Sequence, residues 1–250
     1  MTITAGMLFA CLATLTTPQD NNLQSTIQKF REDYYKVGAR EDDKIQAVNY
    51  LSQHRCEKVV RVLAPLLSEA PPGVRMMTAR ALANFCDIDL AGRELANALQ
   101  AQANSGKKVS CVRIEILRAL GVLHYKGAGA VAAKLVQDRE VWVAKAAIDA
   151  SGRIRVTDAI VPLIKALARI EGKDGDAEVS IDPLDGLIEG YGKNDLFKQD
   201  PRTQKRPTER EVLRAPILAA LQSVTKQNFG SAKEWDAWWG KNKATFTVVD

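Results

Sequence analysis

Histidine is nearly missing from this chain: His54 and His124 are the only two in 250 residues. That scarcity excludes the His-rich zinc and di-iron centres unless carboxylates supply most of the ligands. Neither histidine stands in a His-Glu or His-x-x-x-His frame. There is no Gly-x-Ser-x-Gly elbow, phosphate loop or dinucleotide fingerprint, so no cofactor is implied. Gly127-Ala128-Gly129 is too short for such a loop and lies between helical stretches. Aromatics make up only 6% and alanine is abundant, which favours closely packed helices over a β-sandwich. No run of 18 apolar residues exists, so no transmembrane helix is expected. A one-sided charge is lacking too. The 35 basic residues are interspersed with 30 acidic ones, which reads as a mixed solvated surface; a nucleic-acid binder would concentrate its basic face.

What the chain does have is recurrence. Val74, Met77, Ala81, Leu82 and Phe85 form one apolar stripe at helical spacing, and Ala79, Ala81 and Ala83 keep that helix thin. The frame returns at Val112-Arg113 with Ala119-Leu120-Gly121, and again from Val143 to Gly152. Unit starts at Asp43, Val74, Val112 and Val143 are 31, 38 and 31 residues apart. Each unit reads as two helices. In the first, Ile45, Val48 and Leu51 precede Val59, Val60, Leu63, Leu66 and Leu67. In the second, Pro71-Pro72-Gly73 opens the unit and Leu90, Leu95 and Leu99 stripe its second helix. The fourth has Thr157-Asp158 as a cap before Ile160, Leu163, Ile164, Leu167 and Ile170. A unit of this length cannot bury its stripe alone, so the units are expected to stack as an all-α solenoid of about five repeats.

Five segments follow from this pattern. Residues 1–17 hold the apolar run Leu8-Phe9-Ala10-Cys11-Leu12-Ala13, which resembles a secretory signal although no Lys or Arg precedes it, and an exported protein is expected. Leu8-Phe9-Ala10-Cys11 also resembles a lipoprotein box, which would make Cys11 a lipid anchor; otherwise the segment is a buried or frayed terminus of a cytoplasmic chain. Residues 18–42 carry a stripe of Leu23, Ile27, Phe30, Tyr34 and Val37, read as a helix over 21–37 that caps the array. Residues 43–172 are repeats one to four. In residues 173–211 the pattern stops, with glycines, Pro183, Pro201 and Pro207, and a polar stretch. Residues 212–250 resume it with Val212, Ile217, Leu221 and Val224, then Trp235, Trp238 and Trp239 on one helical face. That tryptophan helix is either a cap on the last repeat or a stacking platform for a base or sugar.

Val74-Arg75 with Ala79 and Ala81-Leu82, and Val112-Arg113 with Ala119-Leu120-Gly121, resemble the first helix of HEAT-like repeats of the bilin-lyase type. Thr157-Asp158-Ala159-Ile160-Val161-Pro162-Leu163-Ile164 is similar to the second helix of such a repeat, and the tryptophan-bearing tail resembles the end of exported bacterial HEAT-repeat proteins. The resemblance covers 43–172 and 212–225. It implies an α-solenoid and a protein-binding role, and it brings no catalytic residues, because the repeated positions are packing positions.

The leading expectation is therefore a non-enzymatic scaffold that binds a protein partner. The alternative is an enzyme on a HEAT-like scaffold, bilin lyase-like or alkyl-base DNA glycosylase-like. Exposed positions expected on the second helices are Arg93, Asn97, Gln100, Gln137, Lys165 and Arg169. In the interruption, Arg202, Lys205 and Arg206 are expected to meet an acidic partner surface, with Tyr191 and Phe197 as anchors; the other reading is a spacer. The paired carboxylates Asp87/Asp89 and Asp182/Asp185 are explained by helix-start capping. Cys56 and Cys86 fall 13 and 12 residues after consecutive unit starts, which makes them the pair to bond in an exported chain. Equivalent points of stacked helices lie roughly 10 Å apart, against the ~7 Å between Cα atoms that a disulfide tolerates.

Overall fold

The computed structural model describes residues 18–179 and 206–248, and these are helical apart from turns and one isolated antiparallel bridge, Glu178 to Thr208. Helix α1 is Pro18–Tyr34, α2 Glu41–Leu51, α3 Glu57–Leu63, α4 Leu66–Glu69, α5 Pro72–Leu82 and α6 Asp89–Gln100. Then come α7 Ser110–Val122, α8 Gly129–Leu135, α9 Val141–Ile154, α10 Ile160–Glu171, α11 Glu209–Thr225 and α12 Ala232–Asn242. None of these helices is long and apolar enough to cross a membrane.

The helices pack in two rows. One runs α1 on α2, α2 on α5, α5 on α7, α7 on α9 and α9 on α11. The other runs α3 on α6, α6 on the Lys126–Ala128 turn that leads into α8, α8 on α10, and α10 on α12. One continuous apolar core lies between the rows, with Leu82 and Leu120 fully buried. Small residues set the closest approaches. A Cβ on Gly121 would lie 3.2 Å from the Ala150 Cα, and one on Gly152 would lie 2.9 Å from the Ala220 Cα. At Gly152 a side chain would force the two helix backbones apart, and at Gly121 it would fit only tightly.

The recurring arginine after valine has a structural task. Arg75 on α5 donates from Nε to the Ala70 carbonyl and from Nη1 to the Ala103 carbonyl at 2.7 Å and to Asn104 at 3.1 Å. Arg113 on α7 pairs with Asp138, just past α8, at 2.6 Å. Each arginine thus reaches from a first helix to the end of the second helix of its own unit, and Arg75 also to the end of the preceding unit. Helix ends leave unpartnered carbonyls, and a guanidinium with five donors suits them.

Four local expectations are corrected. The first helix starts at Pro18 and ends at Tyr34, and the chain then turns through a left-handed Gly38 (φ +79°); Val37, placed on the buried stripe, is 99% exposed. The second helix of the first unit is split into α3 and α4 at Pro65, which has no N–H for the helix ladder. Thr157 and Asp158 do not cap α10. They form a 3₁₀ turn, and the helix starts after Ala159 without a side-chain cap. The helix expected from Val212 begins three residues earlier, at Glu209, because Thr208 and Glu211 form a capping box ahead of it.

Candidate interaction face

The second helices share one local frame. Val59-Val60-Arg61-Val62-Leu63 on α3, Leu95-Ala96-Asn97-Ala98-Leu99 on α6, Ala132-Ala133-Lys134-Leu135-Val136 on and just past α8, and Leu163-Ile164-Lys165-Ala166-Leu167 on α10 have the first, second and fifth residues buried and the third exposed. The helical repeat turns that third position away from the core in every unit. Arg61, Asn97, Lys134 and Lys165 therefore stand as equivalents on four successive helices. Lys134 and Lys165 form no ion pair among the described residues. Arg61 meets only Glu57, at 3.3 Å, and both side chains are mostly exposed. Such a surface pair contributes less than about 1 kcal/mol and leaves the guanidinium exchangeable. Small or neutral residues, Gln100, Ala130, Gln137 and Ala168, are exposed beside it, together with the charged Glu57, Lys58 and Arg93.

Of the residues expected here, Arg93, Asn97, Gln100, Gln137 and Lys165 are all exposed. Arg169 is not presented in that way. Its guanidinium forms a two-pronged ion pair with Glu209, itself buried, because α10 packs along the first turn of α11. Arg61 and Lys134 went unnoticed in the sequence. Their signal was the buried-buried-exposed frame, which is easily missed when α3 is cut at Pro65 and α8 is only seven residues long.

The interruption is closed at its base. Val179 N–H donates to Pro207 O at 2.9 Å and Glu209 N–H to Ala177 O at 2.8 Å. Arg210 adds donors to Ile170 O and Gly172 O, both at 2.9 Å, and pairs with Asp176 at 3.2 Å. Its two ends are thus held together across the α10–α11 junction. Arg206 is exposed beside this stem, while Arg202, Lys205, Tyr191, Phe197, Asp182 and Asp185 lie outside the described residues, as does Cys11.

The expected Cys56–Cys86 bond is not formed: Cys56, Cys86 and Cys111 are free thiols. Cys56 is the N-cap of α3 and partly buried, whereas Cys86 is exposed and turns its thiol back to Ala83 O at 3.8 Å. Burial pushes the Cys111 thiol above its ordinary value. In the tryptophan helix, Trp235 is fully buried and donates from Nε1 to Phe229 O at 3.2 Å. Trp238 and Trp239 are half-buried, with the Phe246 ring 5.6 and 5.7 Å from them. Stacking of these rings on one another and of α12 on α10 accounts for the aromatic spacing.

Among the described residues no group of three or more His, Cys, Asp or Glu side chains gathers as metal ligands. A cavity of about 430 Å³ opens between α9 and α11, on the row opposite the stripe. Comparison with protein-family models, with curated proteins and with solved structures yields no match for this chain.

Proposed function

We propose that the chain is an α-solenoid of HEAT-like repeats that works as a non-enzymatic scaffold, holding a protein partner against its second helices. The observation that carries this reading is the stripe Arg61–Asn97–Lys134–Lys165, one exposed side chain repeated in the same frame on four neighbouring helices. Three of the four are cationic, so the partner presents acidic groups. Packed helices are spaced roughly 10 Å apart. An extended segment rises about 3.3 Å per residue, so acids at every third position match the stripe; on a helix the match falls at every seventh. The interruption, rooted by its stem at the α10–α11 junction, adds Arg202, Lys205 and Arg206 to the same partner. Residues 1–17 direct export; N-terminal sequencing of the native protein should find them gone, and an intact Met1 would contradict that part.

The test is a capture experiment from the native envelope fraction with the folded chain as bait. The triple variant Arg61→Glu, Lys134→Glu and Lys165→Glu should lose the proteins that the native chain retains, with an unchanged helical spectrum. A second bait replaces residues 181–205 by a short Gly-Ser linker, which the closed stem tolerates. Undiminished capture by the triple variant refutes the stripe. Undiminished capture by the linker variant removes the interruption from the site.

A further inference from the structure

The helices α7, α9 and α11 end alike. The residue that turns the chain out of each is left-handed, and each time it is basic: His124 (φ +50°), Arg155 (φ +56°) and Lys226 (φ +60°). Glycine is the usual occupant of such a position, and a side chain there costs about 1 kcal/mol or more. Left-handed conformations retained against that cost concentrate at functional sites. Here they border one place. The cavity of about 430 Å³ between α9 and α11 is walled by His124, Arg153, Arg155 and Ser223 over a floor of Gly152 and Ala220. An adjoining hollow shares Ser223 and reaches Lys226.

Cations at helix C-termini are often explained by the carbonyls they face. That explanation does not cover Arg153, because three carbonyls at the end of α9 already have other donors. Gly152 O accepts from Ser223 Oγ at 2.7 Å, Arg153 O faces His124 Nδ1 at 2.8 Å, and Arg155 O accepts from Lys126 Nζ at 3.3 Å. Arg153 and Lys226 are exposed and form no ion pair among the described residues. The one acid in the wall, Asp149, is paired with Lys145 at 3.0 Å. Arg153, with Lys226 in the adjoining hollow, gives the cleft a positive edge over a floor of small residues. A carbonyl only accepts, so His124 carries its proton on Nδ1, leaving Nε2 as the other polar atom of the ring.

We propose that this cleft binds a small anion carrying two or more negative charges, held by Arg153 and Lys226 with the His124 ring at its edge. The ligand chemistry is a phosphate group or a cluster of carboxylates, and the site is independent of the second-helix stripe. Because the chain has only two histidines, His54 serves as an internal control. Imidazole resonances would be followed while inorganic phosphate or, separately, citrate is added at constant ionic strength, which holds nonspecific screening fixed. The expected result is a saturable shift at His124 with His54 unmoved; saturation by phosphate alone identifies a phosphate ester, and by citrate alone a polycarboxylate. The double variant Arg153→Gln, Lys226→Asn should weaken binding at least tenfold with an unchanged melting temperature, since both side chains are exposed and asparagine tolerates the left-handed conformation. Equal, non-saturating shifts at both histidines with either anion, or native affinity in the double variant, overturns the proposal.

Discussion

Asn104 is the side chain whose loss should reveal most about how the packed helices are held together. It is fully buried, and its Nδ2 donates to Leu67 O and to Ala98 O, each at 2.9 Å, while Oδ1 accepts from Arg75 Nη1 at 3.1 Å. The demand for those donors is written in the chain. The helical partner of Leu67 O would be the N–H of residue 71, but Pro71 has none. Asn104, 37 residues away, supplies the missing donor and so joins the end of the first unit to the end of the second. Ala98 O keeps a second donor, Ala101 N–H at 3.2 Å, and Arg75 keeps Ala70 O and Ala103 O. Asn104→Ala therefore orphans one buried carbonyl, at about 1–3 kcal/mol, and removes two further bonds of about 0.5–1.5 kcal/mol each, part of which relaxation returns. A net cost of about 2–4 kcal/mol is expected from urea unfolding followed by far-ultraviolet circular dichroism. Asn104→Asp should be no better, since a carboxylate would face two carbonyl oxygens. The exposed neighbour change Ser105→Ala should cost under about 0.5 kcal/mol. A cost below about 0.5 kcal/mol for Asn104→Ala, or native stability for Asn104→Asp, would refute the argument.

Three further outcomes are expected. Leu82→Ala removes a fully buried side chain from between α5 and its neighbours and should cost about 2–5 kcal/mol in the same unfolding assay; a near-zero cost would contradict the register of α5. Thiol counting on denatured, unreduced protein should find Cys56, Cys86 and Cys111 all reactive, and in the native state Cys86 should react first and Cys111 slowly, because a raised thiol value leaves less thiolate; a count lower by two would signal a bond. Glu234 is held below the ordinary carboxylate range, first by the Ser231 hydroxyl and then by the Gly230 N–H. Its folded value lies under its unfolded one, so its contribution to the α12 cap is present above the ordinary range and fades as pH falls through the lowered value. Tryptophan fluorescence of α12 should report that acid step, and an unchanged step in Glu234→Gln would count against it.

Residues that act within one helix were legible in the sequence. Val59, Val60, Leu63, Leu82, Leu120 and Leu167 were placed on buried stripes by spacing alone, and all are buried. A period of 3.6 residues is a local property, so it can be read locally. Asn104 carries no signal in the helical spacing, since the carbonyl it caps belongs to a different unit. The cleft escaped for the same reason: His124 and Ser223 meet the end of α9 from helices on either side of it. Arg169 was misread because its partner Glu209 lies 40 residues downstream, beyond an interruption that hides the adjacency of α10 and α11. In each case the missing information is which helix ends become neighbours, and helical spacing carries none of that.

The basic residues make the same distinction energetic. By composition the chain has an excess of +5 charges, which suggests a diffuse positive surface. The structure divides them by position. Four arginines within reach of a helix end are engaged internally: Arg75 with Ala70 O and Ala103 O, Arg113 with Asp138, Arg210 with Ile170 O and Gly172 O, and Arg214 with Gly230 O at 2.8 Å. Their charge is neutralised or held against backbone dipoles, so replacing one would be felt first as lost stability. Lys165 stands in mid-helix, and Arg61 and Lys134 in the last turns of the short helices α3 and α8, all three on the outward position of the frame. Those are the charges whose removal should cost no more than about 1 kcal/mol each and change binding instead, and that separation makes the proposed interaction face testable without unfolding the chain.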